Sequence, residues 1–588
     1  MEELLIPNTA KYDVDTYNIL VNGKEADPSY ELISLSVLKE VNRVSSARLI
    51  FRDGDASLRK FEISNKNDFV PGNKIQINIG RDTNNTQAFK GIIIKHAVKV
   101  KANGHSQLHI ECQDEAVKMT IGRHSHYYEK VKDSQVFDEL ISKYALQSEA
   151  ASTTLTHKEL VQHHISDWDF MLLRAEANGM LVQVNDGTIK IAKPTIANEV
   201  LQINYGSSIL EFESEIDARF QLKNVQASSW DYSNQKLFKA DTSSINFSEP
   251  GNLDGNSIAG AVSPDKYEMH HSGHKLEQEL QDWTEGIMLR SRLAKIRGRA
   301  RFIGFAGIKP GDTVKISGVG ERFNGKAYVT AVRQEVGGGT WQTQIQFGLD
   351  PARYACQHND VCDIPSAGLV GAIHGLQIGI VVKLENDPDG QDRILVKIPV
   401  IDNDAQGIWT RVASLDAGAD RGAFFRPEIG DEVIVGFIND DPRDAVLLGM
   451  LHSSNKPAPI SAKDDNDEKG FTTRSKMHIS FNDKTKTIKI DTPAGNSITL
   501  DEQGAKIEII DQNQNKVSMT PTGVSLESPL QVEIKAGTVL SLSAGVSLAI
   551  SAPSLAIKAD ADVSISGATA KLAAQGPAVI TGLPVKIN

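Results

Sequence analysis

Cysteine is scarce in this chain, with three in 588 residues. That is too few for a disulfide framework and fits folding in a reducing compartment. Long apolar runs are also missing, since none approaches the ~18–20 residues a helix needs to cross a bilayer. The opening MEELLIPNTAKYDVD has neither the basic start nor the apolar stretch of a secretory leader. A protein made in the bacterial cytoplasm is therefore expected, and its exit, if any, needs another route. There is no dense Lys/Arg tract and the formal net charge is −12, which argues against a nucleic-acid partner. Aromatic residues are absent most unevenly: they make up 6% of the chain, yet none occurs in the 107 residues after Phe481.

What fills that aromatic-free end is a repeat. From Val532 to Ala578 the sequence divides as VEIKAGTV LSLSAGVS LAISAPS LAIKADAD VSISGATA KLAAQGPA. Most units open with two apolar residues flanking one small or charged residue: Val532/Ile534, Leu540/Leu542, Leu548/Ile550, Leu555/Ile557 and Val563/Ile565. Such alternation reads as a short strand, and Gly, Pro, Ala-Asp and Ser-Gly supply the corners. A single-chain β-helix needs roughly 20 residues or more to go once around its axis. An octad supplies one strand and one corner, about one side of a triangular prism, so a lone chain leaves its strand edges unpaired. Three interwound chains would close each layer, and Val, Ile, Leu and Ala suit an axis too narrow for rings. A single-chain solenoid is the alternative. KTIKIDT, NSITLDE, AKIEIID and KVSMTPTG read as strands of the same kind, which starts the fibre near residue 477. Roughly 13 strands at about 4.8 Å per layer give a rod of roughly 60 Å.

Elsewhere a chain this long needs several cores. Two distant segments run in parallel: FVPGNKIQINIG, FKGIIIKHAVKV and LHIECQD (Phe69 to Asp114) against IKPGDTVKISGV, FNGKAYVTAVRQEV and TQIQFGLD (Ile308 to Asp350). Both place Pro-Gly before an alternating strand (Pro71/Gly72, Pro310/Gly311) and Phe-x-Gly before the next (Phe89/Gly91, Phe323/Gly325). Either one small β-barrel occurs twice in residues 1–365, or two ordinary antiparallel sheets coincide. A trimer with two barrels per chain would show six similar barrels in a ring. Between the copies, DSQVFDELISKYAL sets Phe137, Leu140, Ile141 and Tyr144 on one helical face. SDWDFMLLRAEANG starts with Ser166 and Asp169 at capping-box spacing and stops at Gly179. A third helix is expected within His274 to Ala300. These stripes read as core and imply no cofactor. Residues 366–455 have the short strands and turn-rich connections of a five-stranded OB barrel. Residues 456–476 read as a linker, and 477–588 as the fibre.

The OB region carries a family signature. RILVKIPV, IWTRVAS and AGADRGAFFRPEIGDEVIVGFINDDPRDAVLLGMLHSSNKPAP resemble the OB domain of VgrG proteins and phage baseplate spikes. The matching residues are Gly422, Pro427, Glu428, Gly430, Asp431, Glu432, Val433, Gly436, Phe437, Pro442 and Gly449. SDWDFMLLRAEANGM is similar to the hub segment of VgrG proteins, and the octads resemble the trimeric β-helix of such spikes. VNRVSSARLIFRDGDA, FVPGNKI and CQDEAVKMTIGR look closest to spikes of extracellular contractile injection systems. The resemblance implies a mainly β chain: a phage-hub-like double β-barrel region with helical insertions, an OB-fold barrel and a C-terminal trimeric intertwined β-helix. It implies a homotrimer seated on an inner tube protein among baseplate proteins, pushed through a target-cell envelope when a sheath contracts. Such spikes are commonly capped by a PAAR-repeat tip protein, so the docking face would be Leu583, Pro584, Val585, Lys586, Ile587 and Asn588. Effector cargo, and the choice among type VI secretion, an extracellular particle and a phage-like tail, stay open.

No enzyme is expected. Neither the linker nor the end of the fibre leaves room for a catalytic domain, and carboxylates such as Asp560/Asp562 on a fibre form no cleft. A β-helical polysaccharide-acting enzyme would need longer coils, sugar-stacking aromatics and a carboxylate groove. A tail fibre or adhesin would need neither an OB collar nor duplicated barrels. The histidine groups (His124, His126; His163, His164; His270, His271, His274) and Cys356, His358, Asp360 and Cys362 match no recognised zinc spacing. They read as surface or packing residues, so neither metal nor cofactor is expected.

Overall fold

Val70-Pro71-Gly72-Asn73 and Lys309-Pro310-Gly311-Asp312 make the same turn in the computed structural model, which describes residues 6–7, 13–101 and 106–586. In each, the fourth N–H donates to the first carbonyl, at 3.1 and 3.2 Å. The glycines stand at φ +99° and +93°, where side-chain-bearing residues are strained. Each turn then grips the next strand through two bonds. Gly72 N–H donates to the Ile93 carbonyl (2.8 Å) and Ile93 N–H to Asn73 (2.9 Å); Gly311, Val329 and Asp312 repeat the pair at 2.8 and 2.9 Å.

The correspondence extends well beyond the turns. Lys74–Arg81, Asn84–Val100 and Ser106–Gln113 form an antiparallel meander, as do Thr313–Ser317, Gly325–Gly337 and Thr340–Phe347. The first is continued by Ser46–Arg52 and Leu32–Glu40, the second by Ile296–Ile303 and Ile209–Ile216, all antiparallel. The copies differ at their outer strand: Asp15–Val21 lies antiparallel on the first, whereas Glu199–Asn204 lies parallel on the second. Leu32–Glu40 also pairs with Gly325–Gly337, joining both copies in one 13-stranded sheet. Each copy encloses its own core. Alternation puts Ile75, Ile77, Ile79, Phe51 and Phe89 inside the first, joined by Phe69 from the preceding turn, and Leu201, Phe302, Val314, Ile345 and Phe347 inside the second.

The helical insertion packs around a separate core. Helix Asp133–Ser142 buries Val136, Phe137, Leu140 and Ile141. Helix Asp167–Ala177 is capped by Ser166, whose hydroxyl accepts the Asp169 N–H at 3.0 Å. Gly179, at φ +65°, turns the chain away and lies so close to Gly286 that a Cβ there would meet the Gly286 Cα at 2.9 Å. Helix Glu277–Leu293 falls within the expected span and stops where the chain is claimed, from Ile296, by a strand with neighbours on both sides.

Gln377–Lys383, Ile394–Lys397, Ile408–Val412, Glu432–Phe437 and Ala445–Met450 close a five-stranded barrel around Val381, Ile394, Val396, Val433, Val435 and Leu447. A first compact unit ends at Gly449 and a second begins at Met450.

The second unit departs from a uniform fibre beginning near residue 477. Glu468–Thr472, inside the expected linker, opens a seven-stranded antiparallel sheet that continues through His478–Asn482, Thr487–Asp491, Ser497–Asp501, Lys506–Ile510, Lys516–Thr520 and Gly523–Glu527. Turns with a positive-φ residue (Lys486, Gly495, Ala505, Gln514) reverse the chain, so each strand pairs with its predecessor. The octads lack such reversals. From Ser528 to Lys586 the chain has no ladder partner, and it bends at Pro529–Leu530, Gly537–Thr538, Gly545–Val546, Pro553–Ser554, Asp560–Ala561, Ala568, Gln575–Gly576 and Leu583–Pro584.

Candidate spike surface

The five-residue strands of the meander place apolar residues at their second and fourth positions, and the register stacks them into two columns. One runs Phe471, Ile479, Ile490, Ile498, Ile509, Val517, Leu526; the other runs Phe481, Ile488, Leu500, Ile507, Met519, Val524. Twelve of these side chains are 40–72% exposed. The opposite face is polar and laced with ion pairs: His478–Asp491 at 3.2 Å, Lys506–Glu508 at 2.9 Å and Lys516–Glu508 at 2.7 Å. A soluble sheet normally turns its apolar face inward. Here the chain by itself leaves that face open.

The octads are open in two senses, with neither ladder partners nor burial. Leu540, Leu542, Leu548, Ile550, Leu555, Ile557, Val563 and Ile565 are all more than half exposed. Of the expected docking residues, Leu583 is fully exposed and Pro584, Val585 and Lys586 are exposed; Ile587 and Asn588 lie outside the described residues.

A second feature, invisible in the sequence, lies in the helical insertion. Asp133, 1% exposed, receives bonds from Arg174 (Nε, 2.6 Å; Nη2, 2.9 Å), His157 Nε2 (2.9 Å) and Asn178 (2.9 Å). Burial alone would raise its pKa, but these donors outweigh it and hold the carboxyl well below the usual range. Because Asp133 only accepts, His157 Nε2 carries the proton, leaving Nδ1 3.9 Å from Glu279. Nearby, burial and then the Asp167 carboxylate push the Tyr144 hydroxyl to about 12. Asp133, Arg174, Asn178 and Glu279 line a cleft of about 300 Å³ together with Leu173, Met180, Leu280, Trp283 and Ile287. Glu176, Lys275 and Asp282 line the same cleft. The Asp133 cluster draws its members from two helices and the strand Thr156–Ile165, which it ties together.

The sequence-singled histidines are dispersed. His126 stacks edge-on to Tyr128 (centroids 4.6 Å), His164 contacts Asp363 (2.9 Å), His270 bonds Ser228 (2.8 Å) and His274 lies against Tyr232 (5.1 Å). Arg123 ties the His164 carbonyl to the Asp360 carbonyl, while Cys356 and Cys362 are exposed free thiols. Among the described residues no three His, Cys, Asp or Glu side chains converge as metal ligands.

Comparison with known proteins follows this architecture. Residues 11–338, spanning the first sheet copy, the helical insertion and all of the second copy but its strand Thr340–Phe347, match the family described as the Alg8 N-terminal domain. The chain belongs to that family. Its barrel, residues 377–452, matches the type VI secretion system/phage-baseplate injector OB domain. Type VI secretion system spike protein VgrG1b of Pseudomonas aeruginosa is 24% identical over 36% of this chain, and VgrG1a of the same organism 24% over 45%. The match spans 29% and 40% of those two proteins' own lengths, so the chain spans well under half of the curated relatives it matches. This Alg8 N-terminal family chain is thus similar to VgrG spike proteins over part of its length and carries an injector-type OB domain after its N-terminal region. Among solved structures, the 43 kDa tail protein of prophage MuSo2 from Shewanella oneidensis aligns at 8% identity over 57% of this chain and 98% of that one, with a TM-score of 0.44.

Proposed function

We propose that the chain is the homotrimeric central spike of a contractile injection machine. The observation that carries this reading is the meander's two-column apolar face, continued by octads whose strand edges and inward residues have no partner in their own chain. Three copies related by a threefold axis would turn three such faces toward one another and let the octads pair in rotation. The spike names of its relatives and the match of its barrel to an injector OB domain support the same reading. The duplicated sheet would then offer six similar faces to a hexameric inner tube protein and to baseplate proteins. The end of the octads would hold a PAAR-type cap on Leu583 to Lys586 and the residues that follow, on the way into the target envelope. The work is mechanical: bending or pulling interwound strands breaks many backbone hydrogen bonds together. Synthesis takes place in the cytoplasm, with assembly into a tail-like particle that leaves the cell or enters another.

Light scattering tests the reading. Full-length protein should have three times the mass of a 64.0 kDa chain, and a version ending at Gly449 should associate far more weakly. A full-length monomer would remove the interwound fibre and with it the spike.

A further inference from the structure

The OB barrel carries an apolar projection and, elsewhere on its outside, an apolar depression, and neither is used by its own chain. After strand Ile408–Val412 the chain makes a small hairpin, Ala417–Gly418 against Arg421–Gly422, steadied by Arg421 on Asp416 at 2.5 Å. This hairpin and its flanks hold Leu415 92%, Phe424 88% and Ile429 65% exposed. Leucine and phenylalanine so fully in water on an ordered loop cost free energy unless something covers them. The depression lies across strands Gln377–Lys383, Glu432–Phe437 and Ala445–Met450. Leu376, Ile378 and Leu448 are 58%, 44% and 52% exposed. Between them Gly436 leaves a gap, since a Cβ there would touch Leu376 and Leu448, each at 3.4 Å. Ile434, the register partner of Ile378, borders a second flat spot at Gly449.

We propose that Phe424 of one copy seats in the Leu376–Gly436–Leu448 depression of the next copy, so that three barrels close into a head-to-tail ring. The inference rests on the trimeric reading above and adds a second interface to it. The occupant is a second copy because chain length brings copies together. The barrel's last strand ends at Met450 and the first meander strand starts at Glu468. Whatever its path, the connecting segment is no longer than about 60 Å fully extended. Three copies joined by their meanders therefore hold their barrels at high effective concentration, where even a modest apolar contact is populated. Projection and depression occupy different patches, so the contact is heterologous, and a threefold rotation closes it. A Leu-Gly-Leu gap suits one aromatic ring, which buries a large area with little loss of side-chain freedom.

The test is cysteine trapping in the full-length chain. Phe424→Cys and Leu448→Cys are combined with Cys356→Ser and Cys362→Ser, and mild oxidation is followed by non-reducing electrophoresis and light scattering. The expected result is covalent dimers and trimers from most of the protein, at least tenfold above either single-cysteine version. Trimeric mass without cross-chain links would overturn the seat while leaving the spike reading intact. A linked species no larger than one chain would also overturn it, because Phe424 would then reach its own barrel. Monomeric mass before oxidation would overturn both. If the first pair destabilises the barrel, Phe424→Cys with Leu376→Cys probes the other wall, and the same outcomes apply.

Discussion

Ile490 sits in the middle of the meander's first apolar column, with Ile479 and Ile498 as its cross-strand partners, and is 43% exposed in the single chain. If the sheet worked alone, Ile490→Asp would replace a half-wet side chain and cost ~1 kcal/mol or less. In the proposed trimer the same position faces the threefold axis. Closure would bury the remaining surface of twelve such side chains, worth about 1 kcal/mol each and on the order of 10 kcal/mol per chain. Ile490→Asp would forfeit about 1–3 kcal/mol of burial per chain and bring three carboxylates to one layer, where desolvating each costs several kcal/mol more. The mutant should therefore lose the trimer at micromolar protein by light scattering, and its thermal transition should fall by well over 10 °C. Thr499→Lys, between Lys489 and Glu508 on the polar face, should leave mass and transition close to wild type. A trimeric Ile490→Asp protein with an unchanged transition would refute the inward orientation of that face.

Other expectations are smaller in scope. Asp133 has a folded-state pKa depressed below its unfolded value of about 3.9. Its stabilisation is therefore present above about pH 4 and fades as pH falls toward the folded value. Asp133→Asn should cost about 3 kcal/mol at neutral pH, and urea titrations of mutant and wild type should converge in acid. Gly179→Ala places a methyl group against the Gly286 backbone at positive φ and should cost about 2 kcal/mol or more by the same measurement. Removing one whole octad, Leu540 to Ser547, should preserve trimer mass and shorten the rod. Removing only Leu540 to Ser543 puts the Gly545 corner out of phase and should lower the melting temperature of the fibre.

The features most legible in the sequence were those whose period matches a backbone repeat. The octad corners fall at Gly537, Gly545, Pro553 and Asp560, where Gly, Pro and Ala-Asp had marked them, and the seven-residue third unit is reproduced as a short step. The Pro71/Gly72 and Pro310/Gly311 turns pointed to a duplication that the hydrogen bonds then extended to five strands. The apolar alternation in TIKID and SITLD was equally visible, but alternation says nothing of a strand's partner. That was decided by the turns at Lys486, Gly495, Ala505 and Gln514. The Asp133–His157–Arg174 cluster could not be read because its members are up to 41 residues apart and carry no local pattern. The one local hint was an acidic residue opening a helix directly before a buried apolar stripe.

The pairing of Leu32–Glu40 with Gly325–Gly337 has a consequence for how the protein is made. The first sheet copy can fold when its own strands have left the ribosome, but one edge must wait for a partner some three hundred residues downstream. Trp341, whose N–H bonds Asp15 at 2.8 Å, imposes the same delay on the other side. At roughly 5–20 residues per second, that edge stays open for tens of seconds, ready to pair with any other nascent strand. Contacts so distant in sequence also slow folding itself. The order of synthesis supplies a remedy, because the apolar meander and the octads emerge after both copies have been translated. In the proposed trimer, the segments most prone to sticking to other chains would thus become available only when sticking to two of them is the next step of assembly.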